Sequence, residues 1–222
     1  MNNELINYLS GFVTEARLNR FEEVLKNRTR HLAIGLENIY QPHNASAVLR
    51  SCDCFGIQDV HIIENENKYT YNPDVSLGSE KWLTLNRYHD KDKSLDICTN
   101  SLKEKGYKIA VTSLHQDNYT IEEVPLNNKL ALFFGTEMRG ATNELESKAD
   151  MFVKIPMLGF TESFNISVAA ALSMYALSSR LRKENILWQL SEPDKEELRL
   201  QWLRNTIPKV ELIEKDFEEK QK

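Results

Sequence analysis

Pro156-Met-Leu-Gly-Phe-Thr-Glu-Ser-Phe-Asn-Ile-Ser-Val-Ala-Ala-Ala-Leu-Ser-Met174 is the segment from which the architecture is worked out. An apolar run, Met151 to Ile155, enters it as a strand, Pro156 stops that strand, and Gly159 marks a loop. The polar step Glu162-Ser163-Phe164-Asn165 then opens a helix running to about residue 184. Ser163 and Asn165 are both residues whose side-chain oxygens cap free helix amides, so a plain cap is one reading of them. The other is a site, because strand, loop and helix start is where α/β proteins hold ligands. Ala169-Ala170-Ala171 keeps the helix slim, which suits a tightly packed site or a subunit contact.

Outward from this segment the same pattern repeats. His31 to Leu36 reads as a strand, Ala45 to Phe55 as a helix closed by Gly56, and Asp59 to Ile63 as the next strand, a β-α-β unit with parallel strands. Further strands are expected at 83–88, 107–112 and 130–134, the last apolar throughout as in a strand buried on both faces. Five or six strands result, with the loops around 40–50, 112–114, 135–140 and 156–165 converging on one edge. Arg50 stands out in an otherwise mostly apolar helix, six residues beyond Asn44, a spacing that does not share a helix face. Gly135-Thr-Glu-Met-Arg-Gly140 has the glycines of a phosphate loop, but Ala141 stands where that loop needs Lys, which argues against nucleoside triphosphate hydrolysis.

The remaining chain carries charge. Residues 4–30 read as one helix, with Arg17, Arg20, Lys26, Arg28 and Arg30 set against Glu22 and Glu23. A second basic cluster, Arg180, Arg182 and Lys183, ends the long helix. Either cluster is a solvated face or a grip on phosphates. Residues 64–81 read as a mobile polar loop, Ser191 starts a helix that Pro208 breaks, and the charged stretch 210–222 is expected to fray. The domain expectation is a basic helical arm at 1–30, a catalytic domain at 31–185 and a helical extension at 186–222.

Composition excludes several classes. The 222 residues carry a net charge of −5, which argues mildly against nucleic acid unless the charge is unevenly spread. Cys52, Cys54 and Cys98 offer neither a disulfide framework nor a zinc site, and no other metal-ligand pattern occurs. The three thiols are expected reduced, in a cytoplasmic protein with no signal peptide and no membrane span. Residue chemistry alone therefore reaches an α/β ligand-binding enzyme with a possible RNA partner.

Three stretches together resemble the motifs of the SpoU family of SPOUT RNA methyltransferases: Asn38-Ile-Tyr-Gln-Pro-His-Asn-Ala-Ser-Ala-Val-Leu-Arg-Ser-Cys-Asp53, Leu132-Phe-Phe-Gly-Thr-Glu-Met-Arg-Gly140, and Ile155 to Ala170. Arg17 to Arg28, Gly78-Ser-Glu-Lys-Trp82 and the helix with Trp202 are similar to the TrmH type, which methylates the 2′-hydroxyl of the D-loop guanosine at tRNA position 18. The resemblance implies an α/β SPOUT fold: a mostly parallel sheet, a C-terminal trefoil knot and flanking N- and C-terminal helices. It implies a homodimer formed through the long helix, with S-adenosylmethionine as cofactor, tRNA as partner and no metal. On that basis Arg50, Asn44, Glu137, Ser163 and Asn165 are the catalytic set. Thr112, Ser113, Leu114, Gly135, Ile155, Met157 and Phe164 surround the cofactor, and Arg17, Arg20, Arg28, Arg180 and Arg182 grip tRNA. Phe164 stands where the family usually has Leu. The alternatives are 2′-O-methylation of ribosomal RNA or of the tRNA anticodon loop, or an RNA-binding factor without catalysis.

Overall fold

Strands such as Lys129–Phe134, apolar from Leu130 onward, have no polar face to turn to water, so they pair in parallel with helices covering both sides. In the computed structural model, which describes residues 2–67, 69–90, 93–113, 116, 118–136 and 139–220, residues 29–188 form one unit built on such a sheet. Its strands are β1 (Thr29–Glu37), β2 (Ile57–Ile63), β3 (Thr84–Tyr88), β4 (Tyr107–Thr112), β5 (Tyr119–Thr120), β6 (Lys129–Phe134) and β7 (Met151–Lys154). The order is β3-β2-β1-β6-β4-β7-β5, every pairing parallel. Between them run α3 (Pro42–Phe55), α4 (Pro73–Ser76), α5 (Ser94–Glu104) and α6 (Asn143–Lys148), and α7 (Ile166–Lys183) follows the last strand.

Two apolar layers sandwich the sheet. On one face, Val48, Leu49 and Cys52 of α3 and Met174, Leu177 and Leu181 of α7 pack on Leu32, Ile34, Leu36 and Leu132. On the other, Leu95, Cys98 and Leu102 of α5 and Leu145 of α6 pack on Ala33, Ile109, Val111 and Phe133. Each of these large side chains stabilises the fold by about 1.5–3 kcal/mol when fully buried. Gly35 is dictated by this second face: a Cβ there would overlap the Phe133 ring on the neighbouring strand. Gly56 ends α3 with φ of 75°, the left-handed closure expected from its position.

Residues 1–28 and 189–222 form the second unit, made of α1 (Asn2–Ser10), α2 (Glu15–Leu25), α8 (Glu192–Thr206) and α9 (Val210–Lys220). Within it, Phe21 meets Trp202 edge-on at 5.5 Å, and Arg199 holds Glu22 through two bonds of 2.6 and 2.9 Å. Ser191 and Asp194 form a reciprocal capping box at the start of α8.

Four expectations change. The helix expected over 4–30 is two helices: Gly11 breaks it, and Thr14 restarts it by accepting from Arg17 N–H at 3.3 Å. The stretch 64–81 is tied down, not loose. Asn38 Oδ1 accepts from the amides of Asn65 and Glu66, and the buried Glu64 carboxylate accepts from Arg87 and Tyr69 N–H. Residues 210–220 are helical, with Tyr8 packed on Phe217 at 5.0 Å and its hydroxyl donating to Asp216 at 2.7 Å. The two-residue β5 is new; a pairing so short leaves no alternation to read.

His61 lies on β2 with Nδ1 3.0 Å from the Tyr88 hydroxyl, and burial, aided by the charge of Lys105, pushes its pKa down to about 4. Folding thus resists protonation of this ring, and its stabilising share is lost as pH falls from about 6.5 towards 4. Urea unfolding at pH 7 and pH 4.5 should show wild type losing about 2–3 kcal/mol relative to His61→Gln between the two conditions.

Candidate active site

Adjacent strands β1 and β6 send the chain to opposite faces, β1 into α3 and β6 towards α6. A crevice therefore opens beyond their C-terminal ends, the place where open parallel sheets bind ligands. A cavity of about 510 Å³ occupies it, lined by Gln41 and Asn44 after β1, Thr112 and Ser113 at the end of β4, Gly135 to Thr136 and Arg139 to Ala141 after β6, and Lys154, Ile155 and Met157 at the end of β7. Ser163, Phe164, Asn165 and Ile166, with Ala169 and Ser173 of α7, close it.

The loop after β6 doubles back on itself. Thr136 N–H donates to Gly140 O at 2.8 Å and Gly140 N–H to Thr136 O at 3.0 Å. Gly140 takes φ of 70°, and a Cβ on Gly135 would overlap the backbone of Gly140 and Ala141. The missing side chain is what lets the two legs of the loop touch, leaving backbone as the cavity wall. On the opposite wall Asn165 is both cap and site residue. Its Oδ1 accepts from Ser167 N–H at 2.9 Å, and its Nδ2 donates to Asn44 Oδ1 at 3.3 Å. Asn44 Nδ2 donates in turn to Gln41 Oε1 at 3.3 Å. The starts of α3 and α7 are thereby linked across the cavity.

Of the residues singled out from sequence, Asn44, Thr112, Ser113, Gly135, Ile155, Met157, Ser163, Phe164 and Asn165 line this one cavity. Leu114 and Glu137 lie outside the described residues. Arg50 is not among the lining residues; it is exposed on α3 in line with His43 and Cys54, while Asn44 is buried. Seven residues return to the same helix face and six do not, which separates Arg50 from Asn44.

Among the basic residues the structure overturns one, Arg28. Arg28 is 1 % exposed, its guanidinium 5.6 Å from the Trp202 ring centre, so it packs inside the terminal unit instead of offering a surface charge. Arg180 donates to Val124 O at 3.0 Å and pairs with Glu184 at 3.1 Å. Arg182 donates to Ser178 O and Phe55 O, both at 3.0 Å, and lies over Trp188; its burial lowers its pKa. Arg180 thus satisfies a loop carbonyl, and Arg182, itself exposed, adds a donor to carbonyls of α7 and of the end of α3. Arg17 and Arg20 are exposed, Arg20 paired with Glu23 at 3.1 Å.

Sequence reasoning passed over Gln41, Arg139, Glu146 and Lys154, which also line the cavity. Arg139 sits inside a loop already chosen for its glycines, a signal that was available. Glu146, held by Gln116 Nε2 at 3.2 Å, lies on a short helix with no distinguishing pattern.

Gly135→Ala should unlatch the loop. Amide exchange at Thr136 and Gly140 is expected to rise about tenfold or more, whereas Gly159→Ala, whose Cβ would meet nothing closer than 4.0 Å, should leave those amides unchanged.

Comparison with known proteins agrees with this geometry. The model of the SpoU rRNA methylase family matches residues 31–175. A tRNA (guanosine(18)-2′-O)-methyltransferase of Borreliella burgdorferi is 46% identical over 209 residues, covering 94% of each chain. The crystal structure of the Aquifex aeolicus TrmH/SpoU tRNA modifying enzyme superposes with a TM-score of 0.77 at 28% identity, covering 88% of this chain and 98% of that one. The SpoU methyltransferase AviRb of Streptomyces viridochromogenes, solved with the cofactor AdoMet, shares the fold with a TM-score of 0.61 at 22% identity, covering 73% of this chain and 62% of that one. By family model, by a near full-length match and by its shared fold, the chain belongs to the SpoU methylase family, and within it to the TrmH type.

Proposed function

We propose that this protein transfers a methyl group from S-adenosylmethionine to the ribose 2′-hydroxyl of the D-loop guanosine at tRNA position 18. The observation that carries the reading is the 46% identity, over 94% of both chains, to a relative named for that reaction. The cavity fits the cofactor. Its volume of about 510 Å³ lies in the range of small-molecule sites. Val153, Ile155, Met157 and Phe164 offer apolar walls, the backbone of Gly135 and Gly140 offers polar atoms at close approach, and Arg139 and Glu146 carry opposite charges, as an amino-acid moiety requires.

When bound, the cofactor would supply a sulfonium-borne methyl group, passed to the ribose oxygen while its sulfur leaves as a neutral thioether. The 2′-hydroxyl must lose its proton in that step. Arginine, protonated at ordinary pH, is a poor acceptor. Arg50 therefore acts by gripping an RNA phosphate, and that phosphate or water takes the proton. Ser163 and Asn165 hold the ribose, and Asn44 orients Asn165 through their shared bond. Alignment of oxygen and methyl carbon supplies much of the rate.

The working form is a homodimer. Val168, Leu172 and Tyr175 form an exposed apolar stripe along α7, 44%, 41% and 64% accessible at i, i+4 and i+7. The C-terminal trefoil knot belongs to the same reading, supported by a chain that passes from β7 back across β4 and β6 to lay α7 beside α3. A tRNA substrate and three free cysteines suit the cytoplasm, and among the described residues no helix is long and apolar enough to cross a membrane. Arg17 and Arg20 contact the tRNA backbone from the terminal unit.

Incubation with labelled S-adenosylmethionine and unmodified tRNA transcript should yield one 2′-O-methyl, mapped to guanosine 18. Methyl found only on ribosomal RNA or the anticodon loop would move the substrate, and none on any RNA would sink the enzyme reading. Arg50→Ala should lose about 100-fold or more in kcat. Sedimentation should give twice 25.8 kDa for wild type and the monomer mass for Leu172→Glu.

A further inference from the structure

Glu37 ends β1 beside the cavity, yet nothing in the chemistry above uses it. It is 1 % exposed, which a carboxylate tolerates only with partners. Its Oε2 accepts from Thr142 N–H at 3.0 Å and its Oε1 from the Thr142 hydroxyl at 2.6 Å. That hydroxyl accepts in turn from Leu145 N–H at 3.1 Å, capping α6. Burial raises the Glu37 pKa; the two Thr142 bonds offset part of that, and nearby Glu144 and Glu66 add to the rise.

The partner explains the placement. Thr142 ends the loop that starts at Gly135 and whose Gly135, Thr136, Arg139, Gly140 and Ala141 wall the cavity. The first leg of that loop is fixed by β6, which is hydrogen-bonded on both sides. The second leg is fixed by the Thr136–Gly140 pair and by Thr142. A carboxylate anchored in the central strand β1 thus sets where the second leg lies.

We propose that Glu37 is a positioning residue of the methyl-donor site: through Thr142 it holds the second leg of the loop, residues 139–142, where it walls the space that receives the donor. The inference rests on the methyltransferase reading given above. A preformed loop spares binding the cost of ordering it, so loss of the clamp appears as weaker donor binding by folded protein.

Calorimetric titration of the full-length chain with S-adenosylmethionine, without RNA, tests it. Wild type should bind, Glu37→Gln and Thr142→Val should each bind about tenfold more weakly with unchanged circular dichroism, and Thr142→Ser should bind like wild type. The double variant should be no weaker than Thr142→Val alone, because the two residues act as one clamp. Unchanged affinity in folded Glu37→Gln, even with a lowered melting temperature, would make the carboxylate merely structural and overturn the proposal; so would losses that multiply in the double variant. If Glu37→Gln does not fold, the contrast between Thr142→Val and Thr142→Ser decides: equal affinity overturns it. Wild type that fails to bind the donor brings down the methyltransferase reading itself, and the positioning role with it.

Discussion

The parallel pairing of β1 with β6 is the constraint on which the rest depends. Leu32 to Leu36 lies against Leu130 to Phe134 at the centre of the sheet, with each strand's side chains divided between the two apolar layers. Because α3 leaves on one face and α6 on the other, a crevice opens beyond the ends of these two strands. The crevice is a consequence of topology, and the loops after β4 and β7 reach it because those strands lie next in order.

Close approach is the second constraint, and small residues meet it. Gly35 admits the Phe133 ring, Gly135 admits the returning backbone of its own loop, and Ala170 is fully buried where α7 packs. Ala169 and Ser173, one helical turn apart, present α7 to the cavity with little side-chain bulk. Of the slim segment that sequence flagged at 169–171, Ala169 lines the ligand space and Ala170 joins the core, while Val168 and Leu172 keep an apolar face outward. One helix serves both roles because four residues complete a turn and separate the faces.

What could be read from sequence follows from which interactions are local. Apolar strands such as 130–134 and the capped start of α7 announce themselves, since burial on both faces and an N-cap are written in adjacent residues. Convergence of the four strand-end loops was legible too, because a parallel sheet puts all such loops at one edge. Strand order was not, as nothing in β6 says that it lies between β1 and β4. The destinations of long cationic side chains were least legible. Arg28 turns inward onto a tryptophan more than 170 residues away, and Arg182 reaches a carbonyl at the end of α3. Charge counting shows neither partner, because a guanidinium on a long stem goes wherever carbonyls or ring faces are, whether it ends buried, as Arg28 does, or exposed, as Arg182 does. Residues 64–81 misled for the same reason: their polarity serves internal bonds to Asn38 and Arg87.

Two buried carboxylates show how the molecule separates rigidity from function. Burial would raise the pKa of Glu64, but Arg87, the Tyr69 amide and His89 outweigh it and the net is a lowered value. Its charge is compensated, and it locks the segment after β2. Among the described residues Glu37 meets uncharged donors, and burial raises its pKa. Both of those donors come from Thr142, which ends the loop that walls the cavity, so this carboxylate spends its bonds on the loop and not on a neighbouring charge. The ion pair at Glu64 fixes a segment outside the cavity lining, and the neutral clamp at Glu37 fixes one that reaches it.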